Sequence, residues 1–272
     1  MLDKKYILCN GEPFEAKQIP QFCQNDDYIY EVFRVQASTP LFLEDHFTRL
    51  QQSLHLTFGH EKLDFNRIQE HVLKLIHLNK LDEGKIQLNL INKGKELEER
   101  IEQIPHHFPS ASLYKKGVEV FTAKLERQSP TAKQGNTTTR HEADKLLAST
   151  RAYEILLTNR AGHITEGSRT NFFYKLNGNI YTPPVKEALP GVTRKHVLDI
   201  AKDLGLIIEE RFLLQSETNQ VEGLFLTGTS PRILPVSKLN NRPVKVDSLE
   251  IQCLMNTFEK RVTQYIQMHN KK

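Results

Sequence analysis

A carboxylate set in an apolar stretch is the first residue of this sequence that could do chemistry: Glu166, in "HITEGSRTNFF", His163 to Phe173. Ile164 and Phe172–Phe173 are strand formers, whereas Gly167, Ser168 and Asn171 favour turns. Taken alone, the segment reads as a solvated turn between two strands. Two further segments have a backbone suited to an anion. In "LPGVTRK", Pro190 and Gly191 precede a helix. The N–H groups of Val192 and Thr193 then point outward, with the positive end of the helix dipole behind them. In "LTGTSPR", Gly228 follows a strand and offers the hydroxyls and amides of Thr229 and Ser230. Each also reads as an ordinary helix start or turn. A phosphate is the kind of ligand both would suit.

The elements that must position these residues follow from periodicity. "YIYEVFRVQ" (28–36) alternates as a strand, with Tyr30, Val32 and Arg34 on one face and Glu31, Phe33 and Val35 on the other. "LEDHFTRLQQSLHL" sets Phe47, Leu50 and Leu54 on a helical stripe, and "FNRIQEHVLKLIHLN" does the same with Ile68, Val72, Leu75 and Ile76. "GKIQLNLINKG" returns to strand. The stretch "IPHHFPSASLYKK" (104–116), with its prolines and serines, reads as a connection between domains. From "GVEVFTAKL" onward the chain is strand-rich. "YEILLTN", "HITEG", "TNFFYKL" and "NIYTPP" form a meander with a hairpin turn at Asn177–Gly178. "LPGVTRKHVLDIAKDLG" is a helix with Val197, Ile200, Ala201 and Leu204 on one face and Gly205 as its stop. The last helix starts at "DSLE", where Asp247 can cap and Glu250 sits three residues on.

Composition narrows the class. With 272 residues, 38% hydrophobic and 26% charged, the chain is an ordinary soluble globular protein of one large or two modest domains. A net charge of +4, with Lys and Arg interleaved among Asp and Glu, implies no nucleic-acid surface but welcomes anionic small ligands. No apolar run is long enough to span a bilayer, and "MLDKKYILCNGEPF" lacks a signal-peptide core, turning at Asn10–Gly11 after one strand. Cys9, Cys23 and Cys253 do not have the spacing of a disulfide framework or a zinc ribbon. A soluble cytoplasmic protein is the expectation, with no nucleic acid, membrane or metal involved.

The run "HITEGSRTNFF…IYTPP…LPGVTRKHVL…FLTGTSPRILPV", together with "YEVFRV…PLFLEDHFTRL", resembles the fold-type IV pyridoxal-phosphate enzymes. These comprise the branched-chain and D-amino-acid aminotransferases and aminodeoxychorismate lyase. Four separated motifs agree, in order and at family spacing, over nearly the whole chain. The resemblance implies an α/β (α+β) fold of two domains with the cofactor between them. It places a small N-terminal domain at 1–109, a linker at 110–117 and a larger, strand-rich domain at 118–272, in a homodimer.

Residue by residue, the resemblance sets Glu166 against the pyridine nitrogen of pyridoxal 5′-phosphate, where a carboxylate keeps the ring protonated as an electron sink. The Schiff-base lysine becomes Lys133, about thirty residues ahead of Glu166. Lys145, inside an amphipathic helix among charges, reads as a solvated surface lysine. Branched-chain enzymes carry a tyrosine five residues after the lysine; here it is Thr138. Arg49 of "FTRL" matches the phosphate-binding arginine and would join Val192, Thr193, Thr229 and Ser230; otherwise it pairs with Asp45 one helical turn back.

Similar enzymes line their substrate pocket with the face that here bears Tyr30, Val32 and Arg34, which makes Arg34 a candidate for a substrate carboxylate; its alternative is a water-facing edge strand. "QIPHHFP" keeps the His-Phe-Pro of the D-amino-acid enzymes but has Ile104 where they carry an arginine, which disfavours that specificity. Glu31 stands where the lyase often has threonine. The expected activity is amino transfer from a small amino acid to a 2-oxo acid. The alternatives are 4-amino-4-deoxychorismate lyase, releasing pyruvate and 4-aminobenzoate, and a non-catalytic binding module of the same fold.

Overall fold

The computed structural model describes residues 5–19, 27–59, 62–94, 96–135 and 137–270. The first four residues and Cys23 lie outside the described residues; Cys9 and Cys253 are free thiols. The chain divides into two compact units, one of residues 1–107, 132–136 and 262–272, the other of 108–131 and 137–261.

In the first unit, β1 (Tyr6–Cys9), β2 (Glu12–Glu15), β3 (Tyr28–Gln36), β4 (Thr39–Pro40), β5 (Glu83–Asn92) and β6 (Leu97–Ile104) form an antiparallel sheet in the order β2-β1-β6-β5-β3-β4. Between β4 and β5 run α1 (Leu43–Phe58) and α2 (Phe65–Leu78). Leu50 and Leu54 of α1 and Ile68, Val72 and Leu75 of α2 bury against Phe33, Val35, Ile86, Leu88 and Ile101 of the sheet. The alternation of β3 is as expected: Ile29, Glu31, Phe33 and Val35 are buried, and Tyr28, Tyr30, Val32 and Arg34 are half-buried. The strand β6 has no clear sequence signal, because half of "LEERIEQI" is charged. Three of those charges are buried and paired: Glu99 lies 2.6 Å from His71 of α2, and Arg100 lies 3.3 Å from Glu102. Paired burial of this kind defeats any reading based on alternation of polar and apolar residues.

In the second unit, part of the stretch expected as a connection is a short helix, α3 (Ala111–Lys116), stopped at Gly117, whose N–H returns to Leu113 C=O at 2.8 Å. There follow β7 (Val118–Ala123), α4 (Thr138–Ser149), β8 (Glu154–Thr158), β9 (His163–Gly167), β10 (Asn171–Leu176) and β11 (Asn179–Thr182). Asn177 and Gly178 turn the β10–β11 hairpin with φ of 50° and 79°, the left-handed pair that a two-residue hairpin requires. Helix α5 (Val192–Asp203) buries Val197, Ile200 and Ala201, but Leu204, expected on the same face, is its C-cap and 43% exposed. The chain continues through β12 (Ile208–Glu210), β13 (Leu213–Leu214), β14 (Gly223–Gly228), β15 (Arg232–Leu239), β16 (Arg242–Pro243) and α6 (Leu249–His269), whose residues from 262 onward are counted with the first unit. The cap of α6 is Ser248 rather than Asp247: the Ile251 N–H donates to Ser248 Oγ at 3.4 Å, so the helix begins one residue later than the acidic signal suggests.

The strands join in the order β12-β11-β10-β14-β15-β7-β8-β9-β13, with β16 on β15, around Phe172, Tyr174, Leu224, Leu226, Leu234 and Val236. No helix among the described residues is long and apolar enough to cross a membrane.

Candidate active site

The candidate residues fall into two groups, one in each unit. In the first, Lys133 lies on a short segment laid along β3. The Tyr30 N–H donates to Lys133 C=O at 3.1 Å, the Gly135 N–H to Tyr28 C=O at 3.0 Å, and Gln134 bridges Ile29. On the other side the Lys133 N–H donates to Ser53 Oγ of α1 at 3.1 Å. The backbone is therefore fixed at each residue around the lysine. Lys133 Nζ stands 5.2 Å from the centre of the Tyr30 ring and 4.0 Å from Glu31 Oε2, with its side chain 14% exposed. Lys145, by contrast, is exposed on α4.

Gly135 allows this close lay-down, since a Cβ there would fall 1.9 Å from Cζ of Tyr28. Gly135→Ala must drive the Tyr28 ring aside or lift the segment. It is expected to cost about 1–3 kcal/mol, as overpacking does, read as a lower melting temperature; an unchanged melting temperature would show the lay-down to be loose.

Glu31, fully buried, organises this group. The Arg49 guanidinium forks onto its carboxylate, Nε to Oε1 at 2.7 Å and Nη2 to Oε2 at 2.6 Å, and His46 Nδ1 lies 2.7 Å from Oε2. Burial by itself would raise the Glu31 pKa. The charges of Arg49 and Lys133 and the hydrogen bonds from Arg49 and His46 outweigh it and hold the carboxyl far below its usual range. Burial also pushes the His46 imidazole down against the pull of Glu31, so a neutral ring donates its Nδ1 proton and the contact is a hydrogen bond rather than a salt bridge.

A carboxyl depressed on folding stabilises the protein above its unfolded pKa and ceases to do so as pH falls through the folded one. Glu31 is thus expected to lend its full stability above about pH 5 and to lose it in acid. Glu31→Ala deprives the buried Arg49 guanidinium and the half-buried Lys133 amine of this carboxylate. A loss of about 3–5 kcal/mol is expected at neutral pH, shrinking towards low pH; denaturant titration at both pH values checks it. A loss that does not depend on pH would refute the charge argument.

Arg49 is buried and pairs with Glu31 of the sheet, and an anion bound there would share the guanidinium. Arg34 does not face water from an edge strand: its side chain is 11% exposed and its Nη2 lies 2.5 Å from Glu83.

In the second unit, Glu166 is 2% exposed on β9. A bulge explains the burial. Leu157 pairs with Glu166 but Thr158 pairs with Ile164, leaving Thr165 as the extra residue that re-aims its neighbours. Glu166 Oε2 accepts the Leu189 N–H at 3.1 Å, and Oε1 lies 2.9 Å from Arg127 Nε as an ion pair without hydrogen-bond alignment. Asn171 Nδ2 donates to Leu189 C=O at 2.8 Å, so two residues of the opening motif hold the residue two ahead of Gly191.

Gly191 is the N-cap of α5, and no side chain caps that helix; Val192 and Thr193 are its first buried residues. Thr229 and Ser230 lie in the three-residue turn between β14 and β15. Beside them Thr227, across the sheet from Asn171, has a buried hydroxyl with no hydrogen-bond partner. Arg127 and Glu154, which both contact this motif, have no motif of their own in the sequence. Glu154 left one trace, an acidic residue opening the otherwise apolar strand "EILLT". Among the described residues, no group of three or more His, Cys, Asp or Glu could hold a metal ion.

The family model for amino-transferase class IV matches residues 28–239, a span that includes both groups. The chain belongs to the class IV aminotransferase family. Its similar relatives include the Thermotoga maritima "Probable branched-chain-amino-acid aminotransferase", 28% identical over 216 residues, 78% of this chain and 77% of the relative. Another is the D-alanine aminotransferase of Bacillus licheniformis, 24% identical over 272 residues, 88% of this chain and 89% of the relative. Some relatives are longer: the match spans 43% of the branched-chain-amino-acid aminotransferase-like protein 1 of Arabidopsis thaliana. Among solved structures, the branched-chain amino acid aminotransferase from Escherichia coli superposes at a TM-score of 0.82, with 20% identity, covering 95% of this chain and 94% of that one. A further branched-chain amino acid aminotransferase, solved with pyridoxamine 5′-phosphate, superposes at 0.86, with 21% identity, covering 97% of this chain and 96% of that one.

Class IV aminotransferases are pyridoxal-phosphate enzymes. That cofactor asks for a primary amine, a carboxylate for its ring nitrogen and donors for its phosphate dianion. This chain offers a half-buried lysine amine, a buried carboxylate on Glu166, a helix start with no side-chain cap and the orphan hydroxyl of Thr227. The residues fit the group.

Proposed function

We propose that this class IV aminotransferase moves the amino group of a small amino acid to a 2-oxo acid. The reading is carried by Lys133, whose backbone is clamped on both sides while its amine stays reachable beside Tyr30. Bound pyridoxal phosphate supplies an electrophilic carbon for amines and an electron sink in its ring. In this reading Lys133 holds the cofactor through Nζ. The same amine would carry the proton that leaves the substrate Cα. Glu166 keeps the ring nitrogen protonated.

Arg49, the amides of Val192 and Thr193, and the hydroxyls of Thr229 and Ser230 take the phosphate. Tyr30 lines the substrate site, and Arg34 takes a substrate carboxylate in competition with Glu83. A cytoplasmic homodimer, with domains at 1–109 and 118–272, completes the proposal.

Borohydride reduction of protein saturated with the cofactor, followed by peptide mapping, tests it. A pyridoxyl group on Lys133 is expected; one on Lys145 would overturn the assignment, and none would leave the non-catalytic module. Amino donors are then assayed with and without a 2-oxo acid, beside aminodeoxychorismate. Pyruvate released from that compound without any acceptor would instead assign the lyase.

A further inference from the structure

Glu154 opens β8 and is 1% exposed, yet all of its hydrogen-bond donors are neutral. Its Oε1 accepts the Ile155 N–H at 2.8 Å, the Ser168 N–H at 3.1 Å and the Ser168 hydroxyl at 2.6 Å. Its Oε2 accepts the Arg169 N–H at 3.1 Å and the Thr170 hydroxyl at 3.0 Å. Three amides and two hydroxyls thus converge on one carboxylate, and four of the five come from residues 168–170, the turn that follows Glu166. Burying a carboxylate without a cation is costly unless its lone pairs are filled, and here the donors of the turn fill them. The turn is wrapped around the carboxylate.

Gly167 makes this possible: a Cβ there would lie 2.2 Å from Thr170 Oγ1 and 3.0 Å from Glu154 Cγ. Two arginines hold the outside of the same turn. Arg127 Nη2 and Arg140 Nη1 both donate to Ser168 C=O, at 2.9 and 3.2 Å.

We infer that Glu154 is a positioning residue for the cofactor. By fixing residues 168–170 it sets Glu166 on one flank and Asn171 on the other. Those two hold Leu189 from both sides, Glu166 through its N–H and Asn171 through its C=O. Leu189 leads through Pro190 to Gly191, the cap of α5. One buried carboxylate therefore orients both the partner of the ring nitrogen and the helix start that faces the phosphate. The inference rests on the proposed roles of Glu166, Val192 and Thr193. Glutamine at 154 would keep the shape but turn an NH₂ donor towards donors.

The test is Glu154→Gln, with Glu154→Asp as the conservative variant and Glu166→Gln in parallel. Readouts are the affinity for pyridoxal phosphate, the pH titration of its bound absorption band, and the melting temperature without it. A displacement of about 1 Å costs about 10²-fold in rate, so Glu154→Gln is expected to lose about that in turnover, to bind the cofactor at least several-fold more weakly and to shift the titration of the band. Glu154→Asp should recover part of each. A role confined to folding would lower the melting temperature and leave the band unmoved, which overturns the inference.

If Glu154→Gln does not fold, Ser168→Ala removes the 2.6 Å donor alone and should still weaken binding and move the band; unchanged binding and band in that variant also overturn it. Should Glu166→Gln leave affinity, band and turnover untouched, the assignment of the ring-nitrogen partner fails instead, whatever Glu154 does.

Discussion

Lys133→Ala is expected to lower turnover by on the order of 10⁴-fold, the upper end of what a positioned proton carrier contributes, because in the proposed function the same amine also holds the cofactor. The fall should not come from unfolding. The bonds that fix this segment are made by the backbone of Lys133 and its neighbours, which alanine retains. Glu31 also keeps Arg49 and His46 after the change. The melting temperature without cofactor is therefore expected to move by a few degrees at most, while borohydride finds no pyridoxyl-lysine at all. Lys145→Ala, at an exposed position on α4, serves as the control and should behave as wild type. Turnover of Lys133→Ala within ten-fold of wild type would take the lysine out of the chemistry.

Much of the architecture was legible because period and turn chemistry agree with burial. The β3 alternation, the stripes of α1 and α2, the Asn177–Gly178 hairpin and the Gly205 stop all follow from local rules. Legibility ended where the fold buries charge. The strand β6 hides Glu99, Arg100 and Glu102 in pairs that no single-strand pattern announces. Arg49 illustrates the same limit: helical spacing is silent on Glu31, the partner that the neighbouring strand supplies.

The candidate site divides likewise. Glu166, the α5 start and the turn at Thr229 and Ser230 lie in short motifs with their own turn and helix signals. Arg127 and Glu154 act on Glu166 or its turn from other segments, so nothing in "HITEGSRTNFF" points to them. Long-range partners of a buried group are set by topology, and topology is what one sequence states least directly.

Glu166→Gln separates charge from shape at this buried carboxylate. The amide is nearly isosteric, and its oxygen can still accept the Leu189 N–H that Oε2 receives at 3.1 Å, so the Glu166–Gly167 backbone should stay in place and the protein should fold. In the proposed role, what glutamine cannot supply is the negative charge that would keep the cofactor's ring nitrogen protonated. That need is greatest in the transition state, so the loss should appear in kcat and in kcat/KM alike with little change in KM. The expected fall is on the order of 10²–10³-fold, the cost of losing one preorganised electrostatic partner. The bound cofactor should also titrate at a different pH. A variant with wild-type kcat would mean that the buried carboxylate serves only the turn, and the ring nitrogen's partner would have to be sought elsewhere. A rise in KM alone would point to substrate binding instead.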